Sequence, residues 1–204
     1  MNRKPADQRK AEIAATALRL ADELGPDRLT TQAIADAVGV TQAAIFRHFP
    51  TKQALWRAVA DALAETMTGA WQRELDGSSA PERRLIALIQ AQLRLIEANP
   101  AIPAILHSRE LQTENAELRQ RCLELMKRFQ GLLSSELRIA QAAGTLRTDI
   151  APEDCAVLMI SLVQGLAIRW SLGSRTFGLE TEGARLLGEQ LKSFRVPPPQ
   201  EAEA

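Results

Sequence analysis

The chain has 204 residues, of which 46% are hydrophobic, and this length allows a buried core in one large domain or two small ones. Its 25 basic and 25 acidic residues balance, so a polyanion would have to be attracted by local charge and not by the net charge. The two cysteines form no CxxC pattern, which argues against a disulfide framework or a metal site. The N-terminus is too polar for a signal peptide, and no run of about 18 apolar residues occurs in the sequence. These features predict a cytoplasmic protein with no membrane segment.

Residues that favour helices, chiefly Ala, Leu, Arg, Glu and Gln, dominate the sequence. Glycines and prolines interrupt them at intervals, and these breaks delimit the predicted helices. The pattern therefore predicts an all-α fold of about nine helices, at residues 5–24, 31–38, 42–49, 52–75, 82–98, 101–107, 114–142, 152–172 and 179–194.

The segment TTQAIADAVGVTQAAIFRHF, residues 30–49, has the spacing of a helix-turn-helix. Ala35 is small where the two helices would touch, Gly39 can adopt the positive φ of the turn, and Ile45 would fill the shared core. Thr30 and Thr41 stand where side chains cap helix N-termini. An ordinary helical hairpin is the alternative interpretation of this spacing alone.

The charge of the exposed face favours DNA binding over an ordinary hairpin. No Asp or Glu occurs between Asp36 and Asp61, although a solvated helix usually mixes acids with bases. Small side chains let a helix enter a groove closely, glutamine can bond base edges, and cations suit phosphates. The residues predicted on this face of the second helix are Gln42, Ala43, Ala44, Arg47 and His48.

Residues 8–60 resemble the TetR family of bacterial transcriptional repressors. The resemblance is carried by Gly25, Leu29-Thr30-Thr31, Ile34-Ala35, Gly39-Val40-Thr41, Ile45 to Lys52, and Ala54-Leu55. It implies an N-terminal helix-turn-helix domain at residues 1–52 and a helical ligand-binding and dimerisation domain at 53–195. It also implies a homodimer whose third helix reads a palindromic operator in double-stranded DNA. Three consecutive prolines and two acids predict a disordered tail at 196–204.

The resemblance also implies individual DNA contacts. Thr31 and Lys52 match phosphate contacts, whereas the stretch Gln42-Ala43-Ala44 matches base-facing positions. Phe46 stands where the family usually has a tyrosine, so the hydroxyl that meets a phosphate is missing here. Four further cations could reach flanking phosphates or a minor groove, with a solvated tail as the alternative: Arg3, Lys4, Arg9 and Lys10. The full set predicted to bind DNA is Thr30, Thr31, Gln42, Ala43, Ala44, Phe46, Arg47, His48 and Lys52.

The last two predicted helices are the candidates for a dimer interface. The helix at 152–172 is apolar on nearly all sides, and the helix at 179–194 repeats leucines near a 3.5-residue spacing, with glycines that permit close contact. A purely intramolecular core is the alternative. The residues predicted at the interface are Val157, Leu162, Gly165, Gly183, Leu187 and Leu191.

The middle helices are rich in Leu, Ile, Met and Trp, and they are the candidates for a ligand cavity. Such a lining would favour a small apolar or amphipathic molecule, because it could satisfy few polar groups. For each residue, plain core packing is the competing explanation. The candidate lining residues are Met67, Trp71, Leu93, Ile96, Leu106, Met126, Phe129 and Met159.

These observations predict a transcriptional repressor that binds an operator and is released by a small molecule, with no cofactor. A DNA-bound protein of the same fold that acts through a protein partner is the alternative. An enzyme is disfavoured, because the two histidines are 59 residues apart in the chain and no Ser/His/Asp, HExxH or phosphate-loop pattern accompanies them.

Overall fold

The computed structural model of the protein describes residues 5–77 and 80–196, and the chain forms ten α-helices and no strand within them. The predicted all-α fold is therefore confirmed. The bounds are α1 (Ala6–Leu24), α2 (Thr31–Val38), α3 (Gln42–His48), α4 (Lys52–Gly77), α5 (Pro81–Ala98), α6 (Ala101–His107), α7 (Arg109–Glu114), α8 (Ala116–Ala142), α9 (Pro152–Leu172) and α10 (Leu179–Phe194). Arg3, Lys4 and nearly all of the predicted tail lie outside the described residues.

The tenth helix, α7, was not predicted, because its sequence was assigned to a loop and to the start of the next helix. Two side chains cap helix N-termini in quick succession here. The Ser108 hydroxyl accepts a hydrogen bond from the Leu111 backbone N–H at 2.9 Å, and the Asn115 side chain accepts one from the Leu118 N–H at 3.0 Å. Each cap starts a helix, so a segment that looks continuous in composition is divided into α7 and α8.

The described chain divides into two compact units, and the first comprises the described residues 5–70 and 95–126. Its core joins the three N-terminal helices to α6, α7 and the start of α8. Ala35 and Ile45 have no exposed surface, and Gly39 has a φ of 75°, in the left-handed region that the turn requires. The structure thus places all three as the helix-turn-helix spacing predicts.

The second unit comprises residues 71–94 and 127–204, described here to residue 196. In it α9 packs on α10. The rings of Trp71 and Phe129 stack with their centroids 4.6 Å apart. Arg84 and Glu136 form a largely buried ion pair at 2.7 Å. This unit therefore has its own apolar core with one charged pair inside.

We expect Gly183→Ala to destabilise the protein, because a methyl at this α10 position would lie 2.2 Å from a Leu93 methyl carbon in a packed core. A loss of about 1–3 kcal/mol is expected. Gly131→Ala is the matched control, since nothing lies within 4 Å of the methyl it adds to α8. It should stabilise the helix by about 0.5–1 kcal/mol. Thermal unfolding of both variants measures these changes in stability. Equal changes for the two variants would contradict the close packing of Gly183 on Leu93.

One helix in the described part of the chain, α9, is long and apolar enough by length and composition to cross a membrane. The expectation that no segment would qualify was therefore wrong. Met159 and Trp170 on this helix are nonetheless buried within the second unit, as in the core helix of a globular protein. Composition alone does not distinguish a transmembrane helix from the core helix of a globular protein. The apolar composition of α9 is therefore weak evidence for a membrane.

Candidate nucleic-acid interface

The two helices of the helix-turn-helix begin with matching caps. The Thr30 hydroxyl accepts a hydrogen bond from the Ala33 N–H at 3.1 Å, and the Thr41 hydroxyl accepts one from the Ala44 N–H at 3.2 Å. The caps give hydrogen-bond acceptors to N–H groups in the first turns of α2 and α3, where the regular helical acceptor four residues back is missing. The threonines fix where each helix starts, and so they fix which α3 residues face outward.

Helix α3 has a clear division between a buried side and an exposed side. Ile45 is fully buried, whereas Gln42, Ala43 and Arg47 are exposed on the surface. The flanking Ala44 and His48 are half-buried. The exposed side therefore begins with small or uncharged side chains and ends with a cation, in the arrangement that the sequence predicts.

The ring of Phe46 is also exposed, at 42% of its surface, although a large apolar side chain normally avoids water. It has no hydroxyl to donate to a phosphate. An exposed phenyl ring on this face can instead make apolar contact with a thymine methyl. The exposed ring thus adds an apolar side chain to the face of α3 that is predicted to meet DNA.

Two cations at this surface have no acidic partner among the described residues, unlike the paired arginines Arg19 and Arg57 elsewhere in the first unit. Arg19 pairs with Glu23 at 2.6 Å, and Arg57 pairs with Glu117 at 3.1 Å. Arg47 and Lys52 form no ion pair with any described residue. Both cations therefore remain available to phosphates, which form strong charge-assisted hydrogen bonds with such groups.

A hydrogen bond that the sequence did not predict joins the beginnings of α2 and α3. The Gln42 side-chain amide donates to the Thr31 hydroxyl at 2.8 Å. The two residues are eleven positions apart, so no helical periodicity indicates their contact. Both had been assigned separately to DNA, Thr31 to a phosphate and Gln42 to a base edge.

A second set of contacts missed by sequence reasoning ties the starts of α7 and α8 to the α1–α2 loop and to α4 within the first unit. The Ser108 hydroxyl donates to the Asp27 carboxylate, and the Asn115 amide donates to the Gln53 carbonyl at 3.4 Å. A small cleft beside these bonds is also lined by Trp56, whose buried indole N–H has no described partner. The cleft has room for about one water molecule, which is too little for a ligand.

Of the eight residues predicted to line a ligand cavity, four lie in the first unit and four in the second. In the second unit Trp71, Leu93, Phe129 and Met159 are all buried. In the first unit Met126 is 40% exposed, so we remove it from the lining of any enclosed apolar site. The other members of this set, which are buried or half-buried, are Met67, Ile96 and Leu106.

The residues predicted at the dimer interface separate into two classes. Val157 and Gly165 on α9 are exposed, and Leu162 is half-buried. On α10, Leu187 and Leu191 are buried within the single chain, and Gly183 faces the Leu93 side chain. A side chain without exposed surface cannot contact a partner directly. We therefore reassign these three α10 residues to the core of the protomer.

The cysteines and acids form no metal site in the part of the chain that the structure describes, where no group of three or more His, Cys, Asp or Glu could hold an ion. Cys122 and Cys155 are free thiols. Burial raises the pKa of both, so each remains protonated at neutral pH and packs as a small apolar side chain.

A capped helix-turn-helix that presents unpaired cations defines a class of protein, the DNA-binding regulators. Two family models match this chain. One, described as bacterial regulatory proteins of the tetR family, matches residues 13–59. The other, described as the C-terminal part of BetI-type transcriptional repressors, matches residues 81–194. The chain belongs to the TetR family, whose members are dimeric DNA-binding regulators and not enzymes.

Relatives and solved structures agree with this assignment. The nucleoid occlusion factor SlmA of Vibrio vulnificus is 31% identical over 135 residues, which cover 66% of this chain and 69% of that protein. A TetR transcription regulator from Haloarcula marismortui is 24% identical, with a TM-score of 0.80 over 93% of this chain and all of the other. A regulator from Saccharomonospora viridis in complex with choline is 20% identical, with a TM-score of 0.82 over 94% of this chain and all of the other.

Proposed function

We propose that this TetR-family regulator represses transcription by binding a palindromic operator as a homodimer, with α3 in the major groove. The acid-free face of α3 carries the proposal, because Arg47 and Lys52 have no ion pair among the described residues while Ala43 and Ala44 permit close approach. Two copies of α3 related by a two-fold axis would match two half-sites of opposite direction. The protein would act in the cytoplasm, where such regulators work.

The proposed dimer uses the outer face of α9. Val157 and Leu158 are nearly half exposed, and Leu172 is 81% exposed. These side chains lie on one stripe with Gly165 and Ile168, and nothing lies within 4 Å of a methyl placed on Gly165. An apolar stripe of this length on a helix whose other side is already buried is best covered by a second copy of the same helix.

The proposed signal is a small apolar or amphipathic molecule, contacting Trp71, Leu93, Phe129 and Met159 in the second unit. These side chains are buried, and the Trp71 indole N–H already donates a hydrogen bond to the Gln92 side chain at 3.0 Å. A site opened among them would have few unsatisfied polar groups to offer a sugar or nucleotide. The choline complex of the Saccharomonospora regulator supports small-molecule binding by this fold.

A second candidate function has its own observation. The SlmA relatives are named as nucleoid occlusion factors, and their name mentions no small molecule. A DNA-bound form of this protein that acts through a protein partner would use the same α3 face. The two candidates differ only in what the second unit recognises.

The operator is tested by selecting bound fragments from random double-stranded oligonucleotides with the full chain. The proposal expects an inverted repeat whose half-sites lie about one helical turn apart, roughly 34 Å, or a multiple of it. Recovery of a single unrepeated half-site, or of no common sequence, contradicts the dimeric operator.

The signal is tested by a thermal-shift screen with fatty acids, aromatic hydrophobes and sugars, followed by operator binding. A ligand that binds the DNA-incompetent conformation about 100-fold better would weaken operator binding by about 2.7 kcal/mol. If apolar compounds stabilise the protein and lower its operator affinity, the sensor is supported. If apolar compounds bind but leave operator affinity unchanged, the partner-dependent function is favoured.

A further inference from the structure

We propose that Thr31 is a positioning residue for base recognition: its hydroxyl holds the Gln42 amide in the orientation that reads adenine. The inference rests on the proposed docking of α3 in the major groove. It assigns Thr31 a role in sequence specificity, whereas the family resemblance implies only a phosphate contact, which carries no sequence information.

The geometry limits how Gln42 can move. Gln42 is the first residue of α3 and Thr31 the first residue of α2, so the 2.8 Å bond connects the ends of two helices fixed by their own caps. A glutamine exposed at a helix start would otherwise sample many rotamers, because it has three rotatable bonds. The bond to Thr31 selects among them before any DNA is present.

The remaining hydrogen-bonding groups of Gln42 determine which base fits. A glutamine amide has two N–H donors and one carbonyl acceptor, and one N–H is used by Thr31. The free N–H and the carbonyl match the N7 acceptor and the N6 donor that adenine presents in the major groove. The reverse amide orientation would accept from the Thr31 hydroxyl and leave two donors, which match the two acceptors of guanine. The base that Gln42 prefers therefore shows which way its side-chain amide is oriented.

Thr31 is suited to this role because the α2 cap is supplied by its neighbour Thr30, which leaves the Thr31 hydroxyl for Gln42. The Thr30 hydroxyl accepts from the Ala33 N–H as the α2 cap, whereas the Thr31 hydroxyl has no helix N–H among its described partners. While it accepts from Gln42, the Thr31 hydroxyl still has its own proton to donate to a phosphate. One side chain can thus fix the position of the protein and orient its base-reading amide.

The test measures binding of the selected operator and of the three single-base variants at the Gln42-contacted position. The proteins are the wild type, Thr31→Val, Thr31→Ser and Gln42→Ala, with thermal unfolding as a check on folding. The wild type should prefer adenine by about 5- to 150-fold, the range of a bidentate contact. Thr31→Val, which keeps the shape but loses the hydroxyl, should lose most of that preference. Thr31→Ser should retain it.

A double variant separates positioning from a phosphate contact. If Thr31 acts through Gln42, Thr31→Val should not change base preference further when Gln42 is already alanine. Overall weaker binding with unchanged preference would show that Thr31 contacts phosphate only, and it would overturn the proposal. A wild-type preference for guanine would overturn the amide orientation. A wild type without any sequence preference would instead contradict the proposed function itself.

Discussion

Leu158→Glu should convert the dimer into a folded monomer that no longer binds its operator. The Leu158 side chain is 48% exposed in the single chain, so the protomer can accommodate a carboxylate there. In a two-fold dimer through α9 the same carboxylate would be buried unpaired, once from each copy, at a cost of several kcal/mol. Sedimentation at micromolar concentration measures the assembly, and operator binding measures the consequence.

Two matched variants make this result interpretable. Leu187→Glu should unfold the protein, because Leu187 has no exposed surface and a buried charge costs a large part of the roughly 5–15 kcal/mol that stabilises a domain. Leu123→Glu, at a 41% exposed leucine of α8 in the first unit, should leave the dimer intact. A Leu158→Glu protein that remains dimeric would place the interface elsewhere.

Arg47→Ala should weaken operator binding by about 10- to 100-fold for each protomer, and so by about 100- to 10,000-fold for the dimer, because each lost hydrogen bond to a charged group is worth about 1.5–3 kcal/mol. The loss should be similar for all sequences, since phosphates carry no sequence information. The plot of log affinity against log salt should flatten by about 0.9 for each phosphate contact removed, and so by about 1.8 in a dimer.

The control for Arg47→Ala is Arg19→Ala. Arg19 is already paired with Glu23 on α1, so its removal should change neither the affinity nor the salt slope appreciably. If Arg47→Ala also leaves the slope unchanged, the unpaired guanidinium does not contact a phosphate and the assignment of this face fails.

The sequence predicted the helix-turn-helix well because its determinants are local. Gly39 in the turn and the threonine caps depend on residues within a few positions of each other, and Ala35 and Ile45 follow from helical periodicity. Such signals are present in the sequence before any tertiary contact forms.

The assignments that needed correction depend on contacts between distant residues. The spacing of the α10 leucines is the same whether they face a partner or their own core, and only the position of Leu93 shows that Gly183 faces inward. The Gln42–Thr31 bond joins two helices, and the Ser108–Asp27 bond joins residues 81 positions apart. Neither pair has a periodicity that a sequence could display.

Whether two copies of the α3 face bind one operator as a homodimer can be measured by titrating the selected duplex with the wild-type protein. Fluorescence anisotropy at physiological salt would compare it with a scrambled duplex of the same length. We expect two chains, or a whole number of dimers, per inverted repeat and a preference of at least about 1,000-fold over the scrambled duplex. Equal affinity for the two duplexes would contradict this expectation.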